Sequence, residues 1–195
     1  MGRTAIAITA AVTALTGAAS SFAATPLSVR DSWRIGTSGT SFCSAQSLTV
    51  DGALTGMFDA GYSITCRDAA LPVGKLYKLK ESASAADRAA ADRASRANCG
   101  SPRRASMPGI GVVEAVECKL KDADVTYRAY QLRRGRLFYA AQGLAGYDSA
   151  LRLGLRSLVA DQPVKGEISI ATTGLGDPAA FARVQAGTLA PDKAL

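Results

Sequence analysis

Four cysteines, Cys43, Cys66, Cys99 and Cys118, set the strongest limit on how this chain can fold. All of them follow an amino-terminal stretch, residues 1–24, with the pattern of an export leader. Arg3 opens it, an uncharged Ala-rich run continues from Ala5 to Ala19, and the small residues Ser21, Ala23 and Ala24 suit a signal peptidase. The apolar run is short for a permanent membrane span and rich in Thr and Gly, so cleavage near Ala23/Ala24 and a periplasmic or secreted product are expected, with no membrane span left. An even number of cysteines in an oxidising compartment predicts two disulfides. Of the three pairings, Cys43–Cys66 and Cys99–Cys118 are preferred, because both are local and both join segments with strand character. Loops of this length contribute about 3 kcal/mol each in the chain-entropy model. A zinc site is disfavoured by the lack of any Cys-x-x-Cys spacing and of any His.

The missing His also removes Ser-His-Asp and Cys-His nucleophile activation, imidazole base chemistry and His-containing metal sites. The carboxylates offer no substitute. Glu114 and Glu117 are three apart on an expected strand and point to opposite faces, and Asp122 and Asp124 flank a turn. Gly174-Leu175-Gly176-Asp177 faintly resembles a phosphate-binding turn but lacks its third Gly and its Lys. Neither a catalytic group, a cofactor nor a metal is expected. With 48% hydrophobic residues among 195, the chain can bury a sizeable core. Cleavage of the leader removes one basic residue and no acid, which lowers the formal charge of +7 by one.

Periodicity predicts an α+β fold, a small mixed or antiparallel sheet with three to four helices. Residues 32–48 read as an extended segment ending in a strand. A short helix is expected from Gly52 to Ala60, capped by Asp51 and stopped by Gly61. Strands are expected at Tyr62–Cys66 and Lys75–Lys80, with a Pro72-Val73-Gly74 turn between them. Ser82 to Ala97 reads as an Ala-rich helix capped at Ser82 or Ser84, with Asp92 and Arg96 as an i,i+4 pair. A loop from Arg103 to Gly109 is expected, then strands at Gly111–Leu120, Val125–Leu132 and Leu137–Ala141, the last two joined by a turn at Arg134-Gly135. Asp148 is placed as the cap of a helix to Ala160, with Leu151, Leu155, Leu158 and Val159 inward and Arg152 and Arg156 outward. A strand at Gly166–Thr173 and a helix opened by Asp177-Pro178 complete the reading.

Two segments match when laid side by side. Phe42-Cys43-Ser44-Ala45-Gln46-Ser47-Leu48, then Asp51 to Leu54, aligns with Phe138-Tyr139-Ala140-Ala141-Gln142-Gly143-Leu144, then Asp148 to Leu151. This suggests a duplicated strand-helix-strand unit. Gln46 and Gln142 then fall at the strand-to-helix links, where an amide satisfies loose backbone groups or contacts a ligand.

Basic residues concentrate at Arg133, Arg134 and Arg136 and at Arg103-Arg104. An anionic cell-envelope polymer or a protein is the expected partner class if that turn binds at all; a solvated turn is the simpler reading. Aromatics do not interleave with the arginines as a nucleic-acid platform needs, and export argues against such a partner.

Three segments carry a family resemblance: Trp33-Arg34-Ile35-Gly36; Cys66 to Ala70 with Pro72 to Tyr77; and Gly143 to Ser157 with Val159-Ala160-Asp161 and the helix Asp177 to Gly187. On these the mature chain resembles the amino-terminal region of large exported bacterial proteins that continue into tetratricopeptide repeats and a caspase-like CHAT domain. The repeats and the CHAT domain, with its catalytic His and Cys, are absent here, so no catalytic residue carries over. The resemblance implies a non-catalytic exported recognition or scaffolding module over residues 25–187, with 188–195 opening a truncated extension. A stand-alone binding protein for an anionic ligand is the alternative.

Overall fold

The computed structural model describes residues 32–38, 41–48, 58–87, 89, 99–120, 125–171 and 179. The expected leader, the segment 51–57, Asp92 and Arg96, Asp122 and Asp124, residues 174–177, most of the helix expected from Asp177 and residues 188–195 lie outside the described residues.

Among the described residues eight strands form one sheet: β1 (Trp33–Ser38), β2 (Ser41–Ser47), β3 (Phe58–Cys66), β4 (Gly74–Leu79), β5 (Arg103–Met107), β6 (Gly111–Leu120), β7 (Val125–Arg134) and β8 (Leu137–Leu144). Their order is β1-β2-β3-β4-β8-β7-β6-β5 and every strand pair is antiparallel. The chain therefore makes two four-stranded meanders that join where β4 pairs with β8. A 3-10 turn at Ala145–Tyr147 leads into the main helix, α1 (Asp148–Ala160).

The sheet is rolled around that helix. In a flat sheet, seven steps of about 4.8 Å would part β1 from β5 by roughly 34 Å, whereas a 13-residue helix is only about 20 Å long. Yet both edges reach the middle of α1. A Cβ added to Gly154 would lie 3.5 Å from the Ile35 Cδ1 of β1, and Arg152 Nη2 donates to the Ser106 carbonyl of β5 at 3.3 Å. Ala150, Leu151, Leu153, Leu155, Ser157 and Leu158 of α1 are all buried. The closest approach is over β4 and β8, where Gly74 faces Gly143 in register and a Cβ on either would lie within 2.6 Å of Leu151 Cδ2. Two adjacent glycines make the flat floor that lets Leu151 descend onto the sheet.

This placement gives the sheet an inner face, toward α1, and an outer face. Inner positions include Trp33, Ala45, Tyr62, Ile64, Leu76, Ala141 and Tyr130, which belong to one buried cluster, and the Trp33 and Tyr62 rings meet edge-on at 4.6 Å. The edge at β1 is covered: Glu167 bridges Thr37 in parallel, and Ile168 N donates to the Thr37 carbonyl at 2.9 Å. The same returning segment grips α1 through Ser149, whose hydroxyl donates to Ser169 O and accepts from Ser169 N, both at 2.8 Å. Ser157 does likewise, donating to Leu153 O and accepting from Val164 N, both at 2.9 Å.

Both expected disulfides are present. Cys43 faces Cys66 across β2 and β3, and Cys99 bridges Cys118 of β6; the described residues include no free cysteine. Two disulfides suggest an oxidising, extracytoplasmic location. Among the described residues no helix is long and apolar enough to cross a membrane.

Several expectations are corrected. The sheet is larger, and among the described residues one main helix stands where three to four were expected in the chain, with a further helical start at Ala85–Asp87. That start is capped at Ser84: its hydroxyl accepts from Asp87 N at 3.0 Å, while Asp87 Oδ2 accepts from Ser84 N at 3.0 Å. Phe58, Asp59 and Ala60 open β3 instead of ending a helix. Arg103–Met107 is edge strand β5, not loop. It turns into β6 through Pro108-Gly109, with Gly109 at φ 84° and Ile110 N donating to Met107 O, as a type II turn requires. Of the expected strand at 166–173, the described residues 166–171 include only Glu167 as a paired strand residue. The strand-helix-strand repeat is not the repeat of the fold. The aligned segments are β2 and β8, the second strand of one meander and the fourth of the other.

Candidate functional site

α1 occupies the inside of the roll, so the surfaces that can meet a partner are the hairpin turns and those parts of the outer face that are exposed; outer positions such as Val73, Leu79, Ala129, Phe138 and Leu144 are themselves buried. The arginine-rich turn does not act as one cluster. Arg133 lies on the outer face with its guanidinium 5.5 Å from the Phe138 ring centre. Arg134, one residue on, lies on the inner face and donates through Nη2 to Ile110 O at 2.9 Å. Arg136 is exposed just past Gly135, which turns the chain at φ 58°. Alternation along β7 splits the sequence triplet between two faces.

Instead Arg133 joins a residue from another hairpin. A shallow outer pocket of about 300 Å³ is lined by Arg104, Val112, Glu114, Gln131, Leu132 and Arg133. Arg104, Glu114 and Gln131 are successive partners across β5, β6 and β7. Val112 beside them is 57% exposed. The pocket thus offers two guanidinium groups, one carboxylate and an apolar rim.

Glu114 and Glu117 face opposite ways, as alternation demands. Glu117 is on the inner face, opposite Arg128, whose Nε lies 3.4 Å from its carboxylate. Arg128 also reaches Asp148 at 3.2 Å, and the Tyr130 hydroxyl donates to the same Asp148 carboxylate. Asp148 is the first residue of α1 and not its cap; the cap position is Tyr147, which makes no side-chain cap bond. This group fastens the start of α1 to β7. Burial and the Asp148 carboxylate hold the Tyr130 hydroxyl far above the ordinary tyrosine range, so it is a poor proton donor to a substrate. Arg152 and Arg156 do not point outward: they reach the β5–β6 hairpin at Ser106 and near Gly109. No group of three or more potential metal ligands occurs among the described residues.

Gln46 and Gln142 lie within β2 and β8 rather than at strand-to-helix links. The register places them in one cross-strand row. Gln46 is opposite Ser63, Ser63 opposite Lys75, and Lys75 opposite Gln142. All four alternate with inner-face residues and therefore lie on the outer face. Ser63 is 7% exposed, and its hydroxyl has no hydrogen-bond partner among the described residues. Lys75 is half-buried, and loss of hydration lowers its pKa below the ordinary lysine value. Nothing in the spacing of Ser63 and Lys75 marks them in the sequence; only the strand register brings them between the glutamines.

The comparisons give no family. No protein-family model, no curated protein and no solved structure matches the chain.

Proposed function

We propose that this chain is a non-catalytic, extracytoplasmic recognition module that presents the outer face of its sheet to an anionic cell-envelope polymer. The observation that carries this reading is the arrangement of charge and space. The inner face of the roll is taken up by α1, while the outer face carries Arg104, Arg133 and Lys75 with few carboxylates. Two disulfides support the compartment and stiffen the meanders. The resemblance to the amino-terminal region of CHAT-domain proteins agrees with a module that recognises and does not catalyse.

The test is co-sedimentation of the purified mature chain, disulfides intact, with peptidoglycan sacculi and with lipopolysaccharide particles. Retention at low salt that weakens as ionic strength rises supports the reading. Absence of retention at low salt contradicts it.

A second reading, a stand-alone binder of a small anion, is favoured by one observation: Arg104 and Arg133 flank the same pocket. Glu114 between them argues for a ligand that also carries a donor group. Loss of all anion binding in Arg104→Ala/Arg133→Ala, with polymer retention unchanged, would separate the two readings.

A further inference from the structure

We infer that the row Gln46–Ser63–Lys75–Gln142 is a binding site for an acidic oligosaccharide, which deepens and rests on the recognition reading. The row crosses four adjacent strands, β2, β3, β4 and β8. At about 4.8 Å per strand it is roughly 14 Å long, the length of a short glycan laid across the strands.

Its chemistry is specific. The two glutamines each offer a carbonyl acceptor and two N–H donors, Ser63 offers a hydroxyl and Lys75 a cation. Sugar hydroxyls both donate and accept, so amides and a hydroxyl match them, and the single ammonium selects a carboxylate among them. No acid stands in the row. None stands in the adjoining outer positions either, which are Ser44, Thr65, Val73 and Leu144 on one side and Gly61, Tyr77 and Ala140 on the other.

Two features set the row apart from an ordinary polar sheet face. The Ser63 hydroxyl is over nine-tenths buried and unpartnered among the described residues. A polar group in that state costs free energy that a ligand hydroxyl or carboxylate would recover. Lys75 makes no side-chain hydrogen bond or ion pair among the described residues. A half-buried cation with no anion beside it is poised for one from outside.

The test is calorimetric titration of the mature chain, disulfides intact, with a galacturonic acid trimer, its methyl-esterified trimer, the free monomer and sodium acetate. The acid trimer is expected to bind, and the esterified trimer to bind about ten-fold more weakly, as loss of one charge-assisted contact implies. Lys75→Met should weaken the acid trimer by a similar factor. Ser63→Ala is the decisive variant. It removes an unsatisfied buried hydroxyl, so the thermal midpoint should hold or rise while trimer binding falls several-fold.

No trimer binding, trimer binding no tighter than acetate, or binding indifferent to Lys75→Met and Ser63→Ala overturns the proposal. If Arg104→Ala/Arg133→Ala abolishes envelope-polymer retention while the row variants leave it intact, the recognition reading stands and the row is wrong. If the unmodified chain retains no polymer, the recognition reading falls with it.

Discussion

Replacing Gly74 by Ala should destabilise the protein through one side chain, and a second substitution should reveal which. A Cβ at Gly74 would lie 2.5 Å from Leu151 Cδ2, while its nearest backbone neighbour, Gln142 O, is 3.0 Å away. Overpacking of this kind costs about 1–3 kcal/mol. For a domain of this size that is roughly 2–4 °C in thermal midpoint per kcal/mol. Leu151→Ala alone opens a cavity and costs about 2–5 kcal/mol. In the double variant the clash is gone, so Gly74→Ala should add no further loss and the two effects should fall short of additive by about 2 kcal/mol. Gly143 is the control. Its Cβ would meet Leu151 Cδ2 at 2.6 Å but also Val73 O at 2.5 Å and Gly74 Cα at 2.8 Å. Backbone does not yield when Leu151 is truncated, so Gly143→Ala should stay close to additive. Urea unfolding of the oxidised protein, followed by fluorescence of the lone and buried Trp33, measures all three single and both double variants. A neutral Gly74→Ala, or equal additivity at both glycines, would refute the packing of α1 on the β4–β8 seam.

Four further outcomes follow from the same contacts. Cys43→Ala/Cys66→Ala and Cys99→Ala/Cys118→Ala should each lose about 3 kcal/mol in urea unfolding, since they close chain separations of 23 and 19 residues. Tyr130→Phe should cost about 1.5 kcal/mol by removing the hydrogen bond to the Asp148 carboxylate, with the loss read as earlier hydrogen exchange in the first turn of α1. Ser157→Ala should cost about 1–2 kcal/mol, because it strands the Val164 amide. Burial pushes the Tyr77 hydroxyl up to about 12 from the ordinary 10.0. The folded state therefore keeps that proton while the unfolded state releases it. The stability Tyr77 contributes is intact below pH 10 and is lost as pH rises toward 12. Alkaline difference spectra of the native protein against Tyr77→Phe should show this late component, and its appearance near pH 10 would contradict the burial.

Local rules read much of this chain correctly. β-branched alternation located β6 and β7, the Arg134-Gly135 turn placed the hairpin into β8, and an amphipathic leucine pattern gave α1 its bounds. Local cysteine spacing gave both disulfides. The errors came where local preference and tertiary position disagree. Arg103 to Met107 lacks β-branched residues, so only pairing with β6 makes it a strand. Phe58-Asp59-Ala60 has helical spacing, yet its pairing with β4 extends β3. Arg152 and Arg156 look solvent-facing on a helical wheel, but a rolled sheet brings β5 to that side of the helix. The candidate row lay beyond local rules altogether. Its four members come from four strands, and only register aligns them. The Phe-x-x-Ala-Gln match between β2 and β8 did single out its two ends, for a reason unrelated to the strand-helix-strand repeat it suggested.

The central claim is that the chain is exported, trimmed and stapled by two local disulfides into a sheet rolled around α1. Mass mapping of unreduced protein recovered from the cell envelope tests this most directly. The account predicts a mature amino terminus at or next to Thr25 and two cross-linked peptide pairs, Cys43 with Cys66 and Cys99 with Cys118. An intact leader on a product with four free thiols, or a cross-link between Cys43 or Cys66 and either of the other two cysteines, would contradict it.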